Sequence, residues 1–130
     1  MNPVGTLHEQ FVFKRRTRVL SEALAQAIPT EARSVLDVGC GDGSIAALIQ
    51  AGRPELSITG VDVLVRPETR IPVTQFDGVR LPFDDGAFDV VMFVDVLHHT
   101  DDPAVLLREA KRVARQAVVL KDHTKDTPLA

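Results

Sequence analysis

Cysteine is nearly absent. Cys40 is the only one in 130 residues, so neither an internal disulfide nor a cysteine-rich zinc site can form, which fits a reducing, cytoplasmic setting. Long apolar runs are missing too: the longest near-apolar stretch, 90–97, is interrupted by Asp95 and falls far short of the roughly 20 residues of a membrane span. No bilayer-crossing helix is expected. Met1 to Gly5 contains no basic stretch leading into an apolar one, so no secretory signal is expected either. Nor is there an excess of positive charge: 15 Lys and Arg stand against 18 Asp and Glu, a net charge of −3. That balance weighs against a broad electrostatic grip on nucleic acid and makes a small molecule the default partner. Internal repeats, low-complexity tracts and linkers are absent as well.

What remains is ordinary globular material, with 45% hydrophobic and 25% charged residues. A chain of this length makes one domain, 1–130, and buries roughly two-thirds of its extended surface. A leading helical segment, 1–30, carries Val12, Val19, Leu20, Ala23, Leu24, Ala27 and Ile28 at helical spacing and ends at Pro29. Lys14, Arg15, Arg16 and Arg18 make its other face basic. They read as a solvated face, or as a contact for an anionic group. Strands are predicted at 34–38, 58–63, 73–76, 88–94 and 117–120. One helix starts near Ile45 and stops at Gly52 and Pro54; another starts after Asp102 as N-cap, with Pro103 in its first position. Most of the strand segments lack clean alternation, the mark of a parallel sheet covered on both faces. Only about nine residues, 64–72 with two prolines, separate the second and third strands, so an irregular crossover is expected there.

The chemistry gathers after the first strand. Gly39, Gly41 and Gly43 sit where strand turns to helix, a nucleotide-type loop, in a Gly-x-Gly-x-Gly order that differs from the dinucleotide-binding Gly-x-Gly-x-x-Gly. Asp62 lies 23 residues after Gly39 at the end of the next strand, where a carboxylate can accept ribose hydroxyls. Asp77 ends the third strand and Asp95 follows the fourth, so Asp37, Asp62, Asp77 and Asp95 are expected to converge on one crevice at the carboxyl edge of the sheet. His98 and His99 follow the fourth strand as weak candidates for positioning or deprotonating an acceptor; loop packing is the bland reading. With Asp101 and Asp102 they have no coordinating spacing, and no metal is expected. Cys40 reads as a small packing residue within the loop. Asp84, Asp85 and Asp89 read as solubilising turn and strand-edge residues.

Five segments, 35–43 (VLDVGCGDG), 60–62 (GVD), 76–78 (FDG), 81–91 (LPFDDGAFDVV) and 96–103 (VLHHTDDP), resemble in order and spacing the motifs of class I S-adenosylmethionine-dependent methyltransferases. The resemblance covers nearly the whole chain. It implies a Rossmann-like, doubly wound, mostly parallel α/β fold. It implies S-adenosylmethionine as cofactor, S-adenosylhomocysteine as product, and methyl transfer to a small-molecule acceptor. The implied cofactor residues are Asp37 with Gly39, Cys40, Gly41 and Gly43 for the methionine part, Asp62 for the ribose, and Asp77 with Gly78 for the adenine, and Val63 and Asp95 are expected among the cofactor-binding residues as well. The acidic loop agrees independently, because Asp37 and Asp42 would repel a pyrophosphate and favour a sulfonium and an ammonium. Two alternatives stand beside this reading: a catalytically silent cofactor-binding or interaction module, and an NAD(P)-dependent oxidoreductase suggested by the glycine turn and Asp62 alone. The family's C-terminal strand hairpin has no counterpart here. The chain therefore reads as an N-terminal part or a trimmed member, 124–130 reads as a polar tail, and Val118, Val119 and Leu120 are expected to form an exposed fifth-strand edge that pairs in a homodimer.

Overall fold

A computed structural model describes residues 3–122, so the expected tail at 124–130 lies outside the described residues. Five strands, β1 (Ser34–Val38), β2 (Ser57–Asp62), β3 (Val73–Gln75), β4 (Phe88–Val94) and β5 (Ala114–Lys121), form one sheet in the order β3-β2-β1-β4-β5, every neighbouring pair parallel. Helix α1 (Pro3–Ala27) leads into β1, α2 (Ser44–Gly52) follows the glycine turn, and α3 (Pro103–Val113) joins β4 to β5 after a 3-10 turn at Leu97–His99. Chain order reverses direction between β1 and β4, so the carboxyl ends of those two strands open the switch-point crevice of a doubly wound sheet.

Strand parity sorts the core into two layers. Val35, Ile58, Val90, Met92 and Val119 face one side and pack with Leu24 of α1, Ile28 just after it, and Ala46 and Ile49 of α2. Leu36, Val38, Val61, Val91 and Phe93 face the other and pack with Leu106, Ala110 and Val113 of α3 and with Leu81. The β2–β3 crossover is irregular, as its length predicts. It is tied down where Arg70 N donates to Asp42 O (2.8 Å) and Gly60 N donates to Pro72 O (2.8 Å).

Some sequence expectations are corrected here. Val19 is 55% exposed and Ala23 and Ala27 face solvent; α1 instead docks along Leu20, Ser21, Leu24 and Ile28. Ser21 lies on that stripe because its hydroxyl donates to Arg18 O (2.8 Å), which removes the cost of burying it. Arg53 sits beneath α1 and donates to Ala25 O (3.0 Å), Ile28 O (2.6 Å) and Pro29 O (2.9 Å), satisfying carbonyls that the helix end leaves without partners. Asp84 and Asp85 are exposed as expected, but Asp89 is buried. Its carboxylate accepts from Arg33 N (2.8 Å), Ser34 N (3.2 Å) and Arg115 Nη2 (2.6 Å), joining β1, β4 and β5 at the amino edge of the sheet. Along β5, Val119 is buried and Val118 half-buried because the sheet is covered on both faces; of the three only Leu120, 51% exposed, shows an apolar side chain to solvent.

Candidate functional site

A cavity of about 660 Å³ opens at the carboxyl edge of the sheet, on the α3 side. Its floor is Val38 at the end of β1 with Gly39 just after it, and Val94 at the end of β4 with Asp95 and Val96 just after it. One wall is Asp62 and Val63 with Phe76, Asp77 and Gly78; the other is His99 to Asp102 with Val105 and Leu106. Apolar side chains thus alternate with a few carboxylates, the composition of a small-molecule site.

The glycine loop reaches this floor because it carries no side chains at two turns. Gly39 has φ 72°, and a Cβ there would come within 2.6 Å of Val96 Cγ2. Gly43 has φ 81°, and a Cβ there would come within 2.7 Å of Ile71 Cγ1. Any L-residue is both strained and crowded at either position. Asp42 shapes the exit into α2: its Oδ1 accepts from Ser44 N (3.0 Å) and Ser44 Oγ (2.7 Å), and those bonds hold its carboxyl below the usual range.

The expected carboxylates do not all share one surface. Asp62 is held at the rim by two backbone donors, Gly41 N to Oδ2 (2.9 Å) and Val63 N to Oδ1 (2.8 Å). Asp77 Oδ1 accepts from Val79 N (2.8 Å) and Arg80 N (2.9 Å), which lowers its pKa, and Oδ2 has no donor among the described residues. Asp95 lines the cavity in a left-handed conformation, φ 54°, and takes Lys121 Nζ at 3.0 and 3.2 Å. Asp37 does not line the cavity. Strand parity turns it to the Val35 side, away from Leu36 and Val38, beneath the glycine loop. There it is 3% exposed and accepts no hydrogen bond from any described residue; burial first, and the nearby Asp62 charge second, raise its pKa to about 7.

The remaining expectations sort by geometry. Cys40 tucks against Gly60 and the Ile71 side of the core, and burial followed by the Asp37 and Asp62 charges pushes its thiol up to about 12, so it packs and is not a nucleophile. Of the two histidines, His99 lines the cavity, whereas His98 turns away: its Nδ1 lies 2.5 Å from Asp122 Oδ1 and its backbone N donates to Asp122 Oδ2 (3.0 Å). Lys14, Arg15, Arg16 and Arg18 are solvated. Among the described residues no group of histidine, cysteine and carboxylate side chains is arranged to hold a metal ion. Val96, Phe76 and Leu106 were missed as cavity walls, although their place just after a strand or on the inner stripe of α3 could have marked them.

The profile of a methyltransferase domain matches residues 36–120, a span from β1 to β5 that includes the loop, the rim carboxylates and the cavity floor. The chain belongs to this methyltransferase domain family. It is 29% identical over 121 residues to the 27-O-demethylrifamycin SV methyltransferase of Amycolatopsis mediterranei, covering 82% of this chain and 44% of that one. It is 34% identical over 124 residues to the ubiquinone/menaquinone biosynthesis C-methyltransferase UbiE of Desulfotalea psychrophila, covering 88% and 48%. Among solved structures, the YcgJ protein of Bacillus subtilis superposes with a TM-score of 0.66 at 25% identity over 86% of this chain and 53% of that one. A SAM-dependent methyltransferase of Aquifex aeolicus shares the fold, with a TM-score of 0.65 at 19% identity over 84% and 68%. The chain spans about half the length of the curated relatives it matches.

Proposed function

We propose that the cavity binds S-adenosylmethionine and that the chain is the cofactor-binding part of an enzyme methylating a small molecule. The single observation that carries this reading is Asp62, a rim carboxylate whose two oxygens are already aimed by Gly41 N and Val63 N, beside apolar walls fit for a nucleoside base. The residues also fit the cofactor's charge. Asp37 is a buried carboxylate close to the Asp62 charge, and a sulfonium and an ammonium bring positive charge that both carboxylates favour. In the proposed assignment Asp62 and Val63 hold the ribose, Asp77 and Gly78 the adenine edge, and the loop from Gly39 to Gly43 the methionine part, with Asp37 outside the cavity acting through its charge alone; Asp95, neutralised by Lys121, borders the acceptor side. When bound, the cofactor supplies an activated methyl group for in-line displacement. The chain's own residues therefore contribute mainly alignment and exclusion of water. A dinucleotide is disfavoured, because the loop carries Asp42 at the start of α2, where a pyrophosphate would sit, and the Asp37 charge lies nearby. A catalytically silent module would bind cofactor in the same way and differ only in turnover.

Calorimetric titration with S-adenosylhomocysteine tests the reading. Asp62→Ala and Asp77→Ala should each weaken binding about ten- to a hundredfold, the loss of a charge-assisted acceptor. Affinity within about twofold of wild type for both variants would contradict the assignment.

Two finer points belong to the proposal. The lone, packed Cys40 supports a reducing, cytoplasmic location, and recovery of the protein from an oxidising compartment of its native cell would contradict it. β5 is an edge strand of the described sheet with Leu120 exposed, which supports a homodimer through that edge. Leu120→Lys should then convert a sedimenting dimer to monomer, while Val119→Lys would merely damage the core; a wild-type chain that sediments as a monomer at high concentration would refute the dimer.

A further inference from the structure

Half of α1 has no core beneath it. At 1.5 Å per residue its 25 residues reach about 37 Å, against about 13 Å for the 9 residues of α2 that it packs on. Core packing begins at Leu20 and Ser21; none of residues 7–19 is buried or joins either layer of the core. A free helical segment of that length is marginal in water, and Phe11, Val12, Phe13, Thr17 and Val19 are weak helix formers. Neither the core nor propensity holds this half in place. Its composition is zoned. Leu7, Phe11 and Phe13 are 68%, 65% and 69% exposed, more apolar surface than a solvated helix end carries by chance. Directly behind them stand Lys14, Arg15, Arg16 and Arg18, all exposed, with no side-chain hydrogen bond or ion pair to any described residue. Glu9 is the single acid between residues 7 and 19, although the chain as a whole has a net charge of −3.

The arrangement around the helix axis selects the partner. Successive residues turn by about 100°, so Phe11, Val12 and Phe13 point in three directions, and Lys14, Arg15 and Arg16 do the same. A protein groove reads one stripe of a helix, and a nucleic acid would take the cations while leaving the phenylalanines in water. An apolar band open on all sides, with a basic band behind it, matches acyl chains lying under a layer of phosphates, which long cationic side chains can reach while the rings insert. We propose that the free half of α1 docks on an anionic lipid surface, with Leu7, Phe11 and Phe13 among the upper acyl chains and Lys14, Arg15, Arg16 and Arg18 on the phosphates. No described residue of α1 lines the cavity, so this contact stands apart from the cofactor reading.

The test is sedimentation of the intact chain with vesicles of phosphatidylcholine alone and of phosphatidylcholine mixed with phosphatidylglycerol. The wild-type chain should sediment with the mixed vesicles only. Phe11→Ser combined with Phe13→Ser should lower that partitioning about tenfold or more, and Arg15→Gln, Arg16→Gln and Arg18→Gln together should lower it on the order of a hundredfold. Thermal midpoints should stay unchanged, because all five side chains are exposed. The sequence contains no tryptophan, so Phe11→Trp supplies a single reporter whose emission should move to the blue with mixed vesicles and stay in place with phosphatidylcholine or with duplex DNA. Absence of sedimentation with mixed vesicles at low salt would overturn the proposal, as would equal sedimentation with both kinds. Partitioning that depends on the arginines but ignores the phenylalanines, or an unshifted Phe11→Trp emission on sedimenting vesicles, would overturn it by showing a general polyanion surface. A dimer that forms without lipid and is dissolved by the Phe11→Ser, Phe13→Ser pair would overturn it in favour of a second copy covering the helix.

Discussion

Replacing Asp37 by asparagine is expected to make the chain more stable at pH 8 and poorer at holding its cofactor. The wild-type carboxyl keeps its proton up to about pH 7 when folded, against 3.8 for the unperturbed group, because burial and the Asp62 charge oppose ionisation. A folded pKa raised in this way adds stability that is fully present below pH 3.8 and is lost as pH rises through about 7, since there the unfolded chain releases the proton while the folded chain resists. The loss is on the order of 4 kcal/mol by pH 8. Asparagine has no charge to resist, so Asp37→Asn should match wild type near pH 4 and exceed it by several kcal/mol at pH 8, measured by urea unfolding at both values. Cofactor binding moves the opposite way. The ionised carboxylate is the form a sulfonium and ammonium favour, so wild-type affinity should rise as pH passes 7 and the variant should show a flat, weaker profile. A variant less stable than wild type at pH 8 would mean that Asp37 is held ionised by partners, contrary to its surroundings.

The second large effect lies at the opposite end of the sheet. Asp89→Ala should cost about 3 kcal/mol, because it leaves the amides of Arg33 and Ser34 and the Arg115 guanidinium without their shared acceptor in a buried place. Here the pH sign is reversed. Hydrogen bonds from Arg115 and from the Arg33 amide, the two largest causes, hold the Asp89 carboxyl down at about 2, so its stabilisation is present above pH 3.8 and lost as pH falls toward 2. Wild type and Asp89→Ala should therefore differ in thermal midpoint at pH 7 and converge near pH 2. Calorimetric binding by the folded fraction of the variant should remain normal, because Asp89 sits at the amino edge of the sheet and the cavity at the carboxyl edge. A midpoint at pH 7 equal to wild type would show that water replaces the carboxylate without cost.

These two aspartates also mark how far the sequence could be read. The loop from Val35 to Gly43 and the acid at 62 were legible because strand, glycine turn and helix are local features, and an acid ending the next parallel strand is brought to the loop by the topology itself. Asp37 lies at the expected edge of the sheet but does not line the cavity. The period of two sends it to the side of Val35, while Leu36 and Val38 belong to the α3 face, and that distinction appears only once each strand face is assigned to its covering helix. Asp89 was misread as a solubilising residue because its partners are remote in sequence: Arg33 lies 56 positions before it and Arg115 lies 26 after it. The face of α1 went wrong by part of a turn for a similar reason, since its docked stripe is chosen by α2 and by Arg53. The irregular crossover was visible in its two prolines and its length; that it carries Arg66 over Gly41 was not, because no periodicity governs such a segment.

In the proposed reading, the cavity at the carboxyl edge takes the cofactor's nucleoside on Asp62 and Asp77. Its most direct test is a nitrogen–proton correlation spectrum of the labelled chain during titration with S-adenosylhomocysteine. Four amides report on those carboxylates without mutation: Gly41 and Val63, which donate to Asp62, and Val79 and Arg80, which donate to Asp77. All four are expected to shift together and saturate with one ligand per chain, while the amides of Arg33 and Ser34, bonded to Asp89 at the far edge, stay in place. Saturable shifts confined to another surface, or a spectrum unchanged at millimolar ligand, would contradict it.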